Sequence, residues 1–290
     1  MLLCDVELLF EMTMKHLPQG AFSLLTTLSV LTGLWGWPAT VTAGAVNLDL
    51  LSHRAVYELS LASAATGSGV ARVEGRMALE WIQTCEGFTA LQRIGMRVAD
   101  MEGRQVDSDY TLSSWESKDG AVFRFNIRSL AGGRKEESFS GRATLEGHGK
   151  AGNVRFTKPD GLKLELGAGT VFPTEHTSLL VRSASAGERR IAARMFDGSG
   201  KKGLFDVIAF VTDAMPDGAS EVMHPVLDKV PAWRMRMAFF GVGRGDETPD
   251  YEVDFRMFAN GVADHLVLDY GDFAVAGRLS RLEPLTEPGC

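Results

Sequence analysis

Two cysteines, Cys85 and Cys290, are the residues of this chain whose chemistry is simplest to state. A third, Cys4, precedes a long uncharged run that is typical of an export signal, and it would be removed with that signal. Two thiols in an exported chain are expected to form a disulfide, because compartments outside the cytosol are oxidising. We expect the bond to hold the last strand, around residues 273–282, against an early strand at 77–82, and so to protect a sheet edge.

The rest of the sequence carries no recognisable motif for catalysis or metal binding. The glycine-rich residues 241–245 precede a strand pattern, whereas a phosphate-binding loop opens a helix. The acidic residues after this loop lack the alternating spacing of a calcium site. The histidines are scattered singly, and Ser199 lies in a glycine turn and not in a nucleophile elbow. We therefore expect no catalytic residue, no metal and no cofactor.

Large, adaptable apolar side chains occur on two predicted strands where valine or isoleucine would be usual. They are Trp81 on one strand and Trp233, Met235 and Met237 on the other. Thioether and indole groups fit irregular apolar shapes, so these four residues are candidates for binding a lipid or another apolar ligand in a cavity. The same residue types also fill protein cores, and that alternative stays open.

Alternation of apolar and polar residues is the dominant pattern between positions 55 and 282. Phe123, Phe125 and Ile127, for example, alternate with polar residues at 124, 126 and 128. A period of two indicates strands that are buried on one face. Asp-Gly or Asn-Gly pairs separate several of these runs and favour tight turns. The sequence therefore predicts a mainly antiparallel sheet.

Only one segment, residues 174–186, has a convincing helical pattern. Pro173 precedes it, and Gly187 follows it as a C-terminal cap. A single helix among about a dozen strands excludes an architecture of repeated βαβ units. We predict an all-β fold with one or two short helices, and one domain that spans residues 44–290.

The N-terminal region predicts export. Residues 21–37 carry no charge, and two small-x-small cleavage sites follow, one at residues 41–43 and one at residues 43–45. We interpret residues 1–43 as a secretory signal peptide, with a natural start at Met14 or Met12, because the acidic residues before these positions suit a signal badly. Polar residues dilute the apolar run, so we expect a periplasmic protein that is not integral to the membrane after cleavage.

The charge of the chain argues against nucleic acid as a partner. The formal net charge is −7, and basic and acidic residues are interspersed. Proteins that bind nucleic acid carry a basic stripe or an overall basic balance, neither of which is evident in the composition.

Several blocks of residues resemble the cell-envelope integrity family EipB. They are HRAVYELSL at 53–61, Cys-Glu-Gly at 85–87, FPTEH at 172–176, ANGV at 259–262, LDYGDF at 268–273 and the terminal Cys290. The resemblance implies a curved β-spiral, or open barrel-like sheet, closed by a disulfide between Cys85 and Cys290. It also implies a periplasmic protein with a tetratricopeptide-repeat partner. No catalytic residue can be carried over from the family.

We therefore interpret the chain as a non-enzymatic periplasmic protein that supports envelope integrity through protein contacts. The alternative is a carrier of a lipid or other apolar ligand in a cavity of the curved sheet. A third possibility is a hydrolase whose catalytic groups come from distant strands.

Signal cleavage is the first testable prediction. The mature protein is expected to begin at Gly44 or Val46, because both positions follow small-residue sites. N-terminal sequencing of the protein released from the periplasm measures this directly. A membrane-bound form that retains Met1 or Met14 would contradict the prediction.

Overall fold

The computed structural model describes residues 50–132, 135–215, 224–243 and 248–290. The predicted signal peptide and Cys4 lie outside these ranges. The described residues form fifteen strands, one α-helix and two short 3-10 turns at Gly200–Lys202 and Pro225–Leu227. The elements are β1 (His53–Ala64), β2 (Val70–Gln83), β3 (Gly87–Asp100), β4 (Gln105–Ser117), β5 (Val122–Ala131), β6 (Lys135–Leu145), β7 (Gly152–Lys158), β8 (Lys163–Leu166), β9 (Thr170–Val171), α1 (Pro173–Ser185), β10 (Arg190–Phe196), β11 (Leu204–Met215), β12 (Ala232–Gly241), β13 (Tyr251–Phe258), β14 (Ala263–Asp269) and β15 (Phe273–Pro284).

All fifteen strands belong to one sheet, which confirms the all-β prediction. Strands β1 to β8 pair with one another in chain order, as do strands β9 to β15, and β1 pairs with β15. Every pair is antiparallel except β9 with β10. The edge strands β8 and β9 are joined only by residues 167–169, so their connected ends lie within about 15 Å. The sheet is therefore a nearly closed barrel that opens between β8 and β9.

Side chains from nearly every strand fill the interior of the barrel. The predicted alternation holds on β5, where Phe123, Phe125 and Ile127 point inward and are buried. The buried apolar residues of the other strands join them in one continuous cluster with α1. Gly152 lies where a Cβ would overlap the carbonyl oxygen of Thr144 on the neighbouring strand, so glycine permits the strands to approach and bend there.

Helix α1 is buried against the inner face of the sheet. It begins at Pro173 and ends at Ser185, close to the predicted bounds. Gly187 has a φ of 82°, and its N–H bonds to the carbonyl of Ala184, while the N–H of Glu188 bonds to that of Ser183. These two bonds form a Schellman motif, which explains why a glycine ends the helix.

The predicted disulfide is present, but its place in the sheet differs from the expectation. Cys85 follows β2, and Cys290 ends a tail that crosses the start of β1, where the N–H of Leu285 bonds to the carbonyl of Ser52 at 2.7 Å. The expected pairing of the last strand with residues 77–82 is wrong, because β1 lies between β2 and β15. The sheet edges are β8 and β9, so the bond secures the C-terminal tail and protects no edge.

Loss of the disulfide is expected to cost stability without changing the fold. The bond joins residues 205 positions apart, and the entropy of closing such a loop in the unfolded chain corresponds to about 5 kcal/mol. Cys290→Ser should lower the free energy of unfolding by up to that amount, while β15 keeps its pairs with β1 and β14. Urea denaturation measures the difference, and reductant added to the wild type is the control. A wild-type transition that does not respond to reductant would contradict this prediction.

Candidate functional site

The four predicted ligand-binding residues separate into two places. Met235 and Met237 on β12 are 1% and 2% exposed, and Trp233 lies beside them in the main core. Trp81 on β2 belongs to a separate small cluster with Leu50 and Ala90. The ligand-binding role of these residues stays a prediction, and only Trp81 lines one of the cavities described below.

The cavity next to Trp81 lies where the first turns of α1 meet the sheet. It is lined by Leu50, Leu51, His53, Leu79, Trp81, Thr174, Thr177, Met257, Asn260 and Gly261. It offers about 30 Å³ to a water-sized molecule, which is room for about two waters. A second cavity, between β1 to β3 and the β14–β15 hairpin, offers about 20 Å³. Pockets for drug-sized ligands measure about 300–1,000 Å³, so neither cavity accommodates an acyl chain in this conformation.

His53 is the titratable side chain among the residues that line the first cavity. Its Nδ1 lies 2.6 Å from the carbonyl oxygen of Leu51, so Nδ1 carries the proton and donates it. Burial lowers the pKa of His53, against the effect of this hydrogen bond. Nε2 is buried and has no hydrogen-bond partner among the described residues, so it faces its apolar surroundings as an acceptor. The neutral His53 is therefore held in place by its Nδ1 hydrogen bond, and its Nε2 is an acceptor without a hydrogen-bond partner among the described residues.

Glu116 on β4 caps the N-terminus of α1. Its carboxylate accepts hydrogen bonds from the N–H of Thr174 at 2.8 Å and of Glu175 at 3.0 Å. Phe172, at the N-cap position, provides no side-chain cap, so a carboxylate from another strand satisfies these N–H groups. Desolvation raises the pKa of Glu116 to about 7, and the hydrogen bonds act in the opposite direction. On the same helix, burial lowers the pKa of His176 to about 3 and keeps it neutral.

Three further buried ionisable groups are also held by structural partners. Arg256 and Asp264 form a two-bond ion pair at 2.6 Å for each bond, and the guanidinium lies over the ring of Phe258. Asp197 accepts hydrogen bonds from the N–H and the hydroxyl of Ser199, and burial raises the pKa of Asp197 to about 6. These contacts shape the sheet interior and one loop. Among the described residues, no three His, Cys, Asp or Glu side chains are placed to hold a metal ion.

The signal for these inward polar groups was present in the sequence. Glu116 follows Tyr110 and Leu112 at even spacing on one strand, and His53 precedes Ala55 and Tyr57 in the same way. Period two therefore places both side chains on the buried face. The alternation of apolar and polar residues does not predict the hydrogen-bond partners of these two side chains, which lie on α1 for Glu116 and at Leu51 for His53.

Comparison with known proteins identifies the family to which this chain belongs. Residues 44–286 match the family model described as EipB-like. This chain belongs to the EipB-like family. Among its EipB-like relatives is the cell envelope integrity protein EipB of Brucella abortus (strain 2308), which is 32% identical over 255 residues, or 86% of this chain and 90% of the relative.

A solved EipB-like structure agrees with the fold. It is the crystal structure of a beta-barrel-like protein of domain of unknown function DUF1849 from Brucella abortus. The TM-score is 0.72 at 30% sequence identity, with 81% of this chain and 98% of the other chain covered. In the described part of this EipB-like chain, no helix is long and apolar enough to cross a membrane.

The Glu116 cap of this EipB-like fold predicts a pH effect on stability. The carboxyl pKa is about 7 in the folded state against an ordinary value of 4.5, so the folded chain keeps a proton that the unfolded chain loses between these values. The wild type should therefore lose about 3 kcal/mol of stability through this group as the pH rises across that window. Glu116→Gln has no carboxyl group at this position and does not lose this stability. The free energy of unfolding of the variant, relative to that of the wild type, should therefore rise by the same amount as the pH increases.

Urea denaturation of both proteins at pH 4.5 and pH 8 tests the effect of Glu116. The contributions of other titrating groups cancel in the difference in stability between the two proteins, because both proteins contain these groups. Any cost of the amide that does not depend on pH cancels when the differences at the two pH values are compared. Glu146→Gln, which removes an exposed carboxyl, is the matched control and should show no such change. A difference between wild type and Glu116→Gln that is the same at both pH values would contradict the assignment.

Proposed function

We propose that this chain is a non-enzymatic periplasmic protein that supports the integrity of the cell envelope by binding other proteins. The observation that carries the proposal is the sequence relationship to a protein named for envelope integrity, which extends over 86% of this chain and 90% of the relative. A relationship over almost the whole length of both proteins supports a shared role more strongly than a shared fold does.

The filled interior supports a role for the outer surface. The two cavities described above admit only a few water molecules, and the buried ionisable groups contact one another, the backbone or α1. Neither of these two cavities accommodates a large molecule, which favours binding of such a molecule on the outside of the barrel or at its opening between β8 and β9. A surface of this kind suits protein contacts.

The disulfide supports the compartment. Cys85 and Cys290 are both exposed, and an exposed bond persists where the surroundings are oxidising. The periplasm meets this condition and agrees with the predicted signal peptide. The family resemblance favours a periplasmic tetratricopeptide-repeat protein as the partner.

Deletion of the gene in its own bacterium tests the proposed function. The deletion strain should become more sensitive to detergent and to cell-wall antibiotics, and the wild-type gene should restore resistance. A version without residues 1–43 stays in the cytosol and should fail to restore it, which is the control for compartment. Normal resistance in the deletion strain would contradict the proposed role.

Native mass spectrometry of the protein from its own periplasm separates protein contacts from the carrier alternative. A co-purifying repeat protein would support the proposal. A bound lipid without any protein partner would favour the carrier.

A further inference from the structure

Four cationic side chains face one another in a single row across the outer side of β5 to β8. Arg124 is directly opposite Arg142, Arg142 is opposite Arg155, and Arg155 is opposite Lys163. All four are exposed. Trp115 on β4 is opposite Arg124 and ends the row, with the guanidinium 5.0 Å from the centre of its ring. We call these five residues the cationic row.

Opposite charges meet at equivalent positions elsewhere on the outer face. In each case an arginine forms an ion pair with the acidic residue directly across from it on the neighbouring strand. The pairs are Arg76 with Glu58 at 2.9 Å, Arg97 with Asp107 at 2.6 Å, Arg194 with Asp206 at 2.8 Å and Arg236 with Asp254 at 2.9 Å. This matching is what a stable sheet favours, since like charges directly opposite each other are destabilising.

The cationic row has no such compensation. Within the described ranges, none of its four cations forms an ion pair with an acidic side chain. Arg142 makes only a long hydrogen bond, from Nε to the hydroxyl of Thr144 at 3.5 Å. Repulsion among the four cations therefore lowers the stability of the sheet slightly, and an anionic ligand bound along the row would relieve that repulsion.

The shape of the row is a line. Neighbouring strands are about 4.8 Å apart, so four cations extend over about 14 Å. The adjacent outward positions are Asn126, Ser140 and the exposed Lys158 on one side, and Val122, Thr144, Asn153 and Glu165 on the other. Most of the positive charge is thus concentrated in one row, with Lys158 as a further cation beside it.

We propose that the cationic row binds an extended acidic segment of a partner protein that runs across the strands. The inference rests on the proposed function, because it supplies the chemistry of one protein contact. In an extended segment, acidic residues at alternate positions lie about 6.6 Å apart on one face, so three of them cover the length of the row. Carboxylates and guanidinium groups form strong two-bond pairs, and the Trp115 ring offers an apolar contact at the end.

A linear polyanion fits this row better than a membrane surface does. A membrane presents negative charge over an area, whereas the positions that flank the row are mostly uncharged and hold one cation, Lys158, and one acidic residue, Glu165. The row also lacks exposed apolar side chains that could enter the bilayer, since Trp115 is half-buried under Arg124. The chain as a whole has a net charge of −7, so an acidic segment is repelled elsewhere and is oriented by the row.

Binding of a fluorescent peptide with alternating glutamate and serine tests the inference. The oxidised wild-type protein should bind it, with an affinity that falls as salt is added, and should not bind the matching glutamine and serine peptide. Arg142→Glu should weaken binding by at least about tenfold. The same variant should melt about 1–3 °C higher, since a glutamate at position 142 would lie between Arg124 and Arg155.

Arg97→Glu is the matched control. It makes the same change of charge on the same outer face, but it places two acidic residues opposite each other at Asp107. It should melt lower than the wild type and keep peptide affinity within about twofold, because it lies outside the row. Equal losses of affinity in the two variants, or equal binding of the two peptides, would overturn the inference.

Vesicles of phosphatidylcholine with phosphatidylglycerol distinguish the other source of anionic groups. If the protein binds these vesicles only when Arg142 is present, and does not bind the acidic peptide, the ligand of the row is a lipid surface and not a protein segment. That result would overturn the inference. Complementation of the deletion strain separates it from the proposed function. If Arg142→Glu restores resistance as well as the wild type does, only the row is rejected; if deletion has no effect on the envelope while the row still binds peptide, only the proposed function is rejected.

Discussion

The pairing of β1 with β15 is the interaction on which the shape of this molecule depends. Every other pair joins strands that are consecutive in the chain, through hairpins, loops or, for β9 and β10, helix α1. The β1–β15 pair joins residues near both ends, from His53 with Pro284 to Ala64 with Phe273. Without it, the two arcs of the sheet would be linked along the chain only through the β8–β9 connection, and the sheet would gain two long edges, β1 and β15, in addition to its two short ones.

This closure creates an interior that must be filled, and α1 with the inward side chains fills it. A buried helix needs partners for its first N–H groups, and a carboxylate on β4 provides them. The requirement explains why Glu116 lies among apolar residues despite the cost of desolvating it. Met235 and Met237 belong to the same filling, since adaptable side chains suit the irregular space between a helix and a curved sheet.

Local patterns were sufficient to predict most elements, and pairings distant in the chain were not. The alternation at Phe123 to Ile127 and the Pro173 and Gly187 boundaries are local properties, because strand period and helix capping depend on residues a few positions apart. The partner of β15 is more than two hundred residues away, so no local pattern distinguishes β1 from β2 as its neighbour. Each cation of the row is likewise an ordinary exposed residue of its own strand, and it meets the others only once the register is known. Trp233 is ambiguous for a different reason, because its chemistry suits a core and a cavity equally.

The two ends of the described barrel meet at one hydrogen bond between Leu285 and Ser52, while its opening lies between two consecutive strands. The polypeptide thus follows an almost circular path that begins at an arbitrary point. Joining position 285 to position 52 by a short linker, and cutting the chain between β8 and β9, would give a circular permutant that breaks no strand pair. The most distant contact of the natural chain would then be a hairpin, and since folding rates rise as contacts become more local, the permuted protein should reach the same barrel faster.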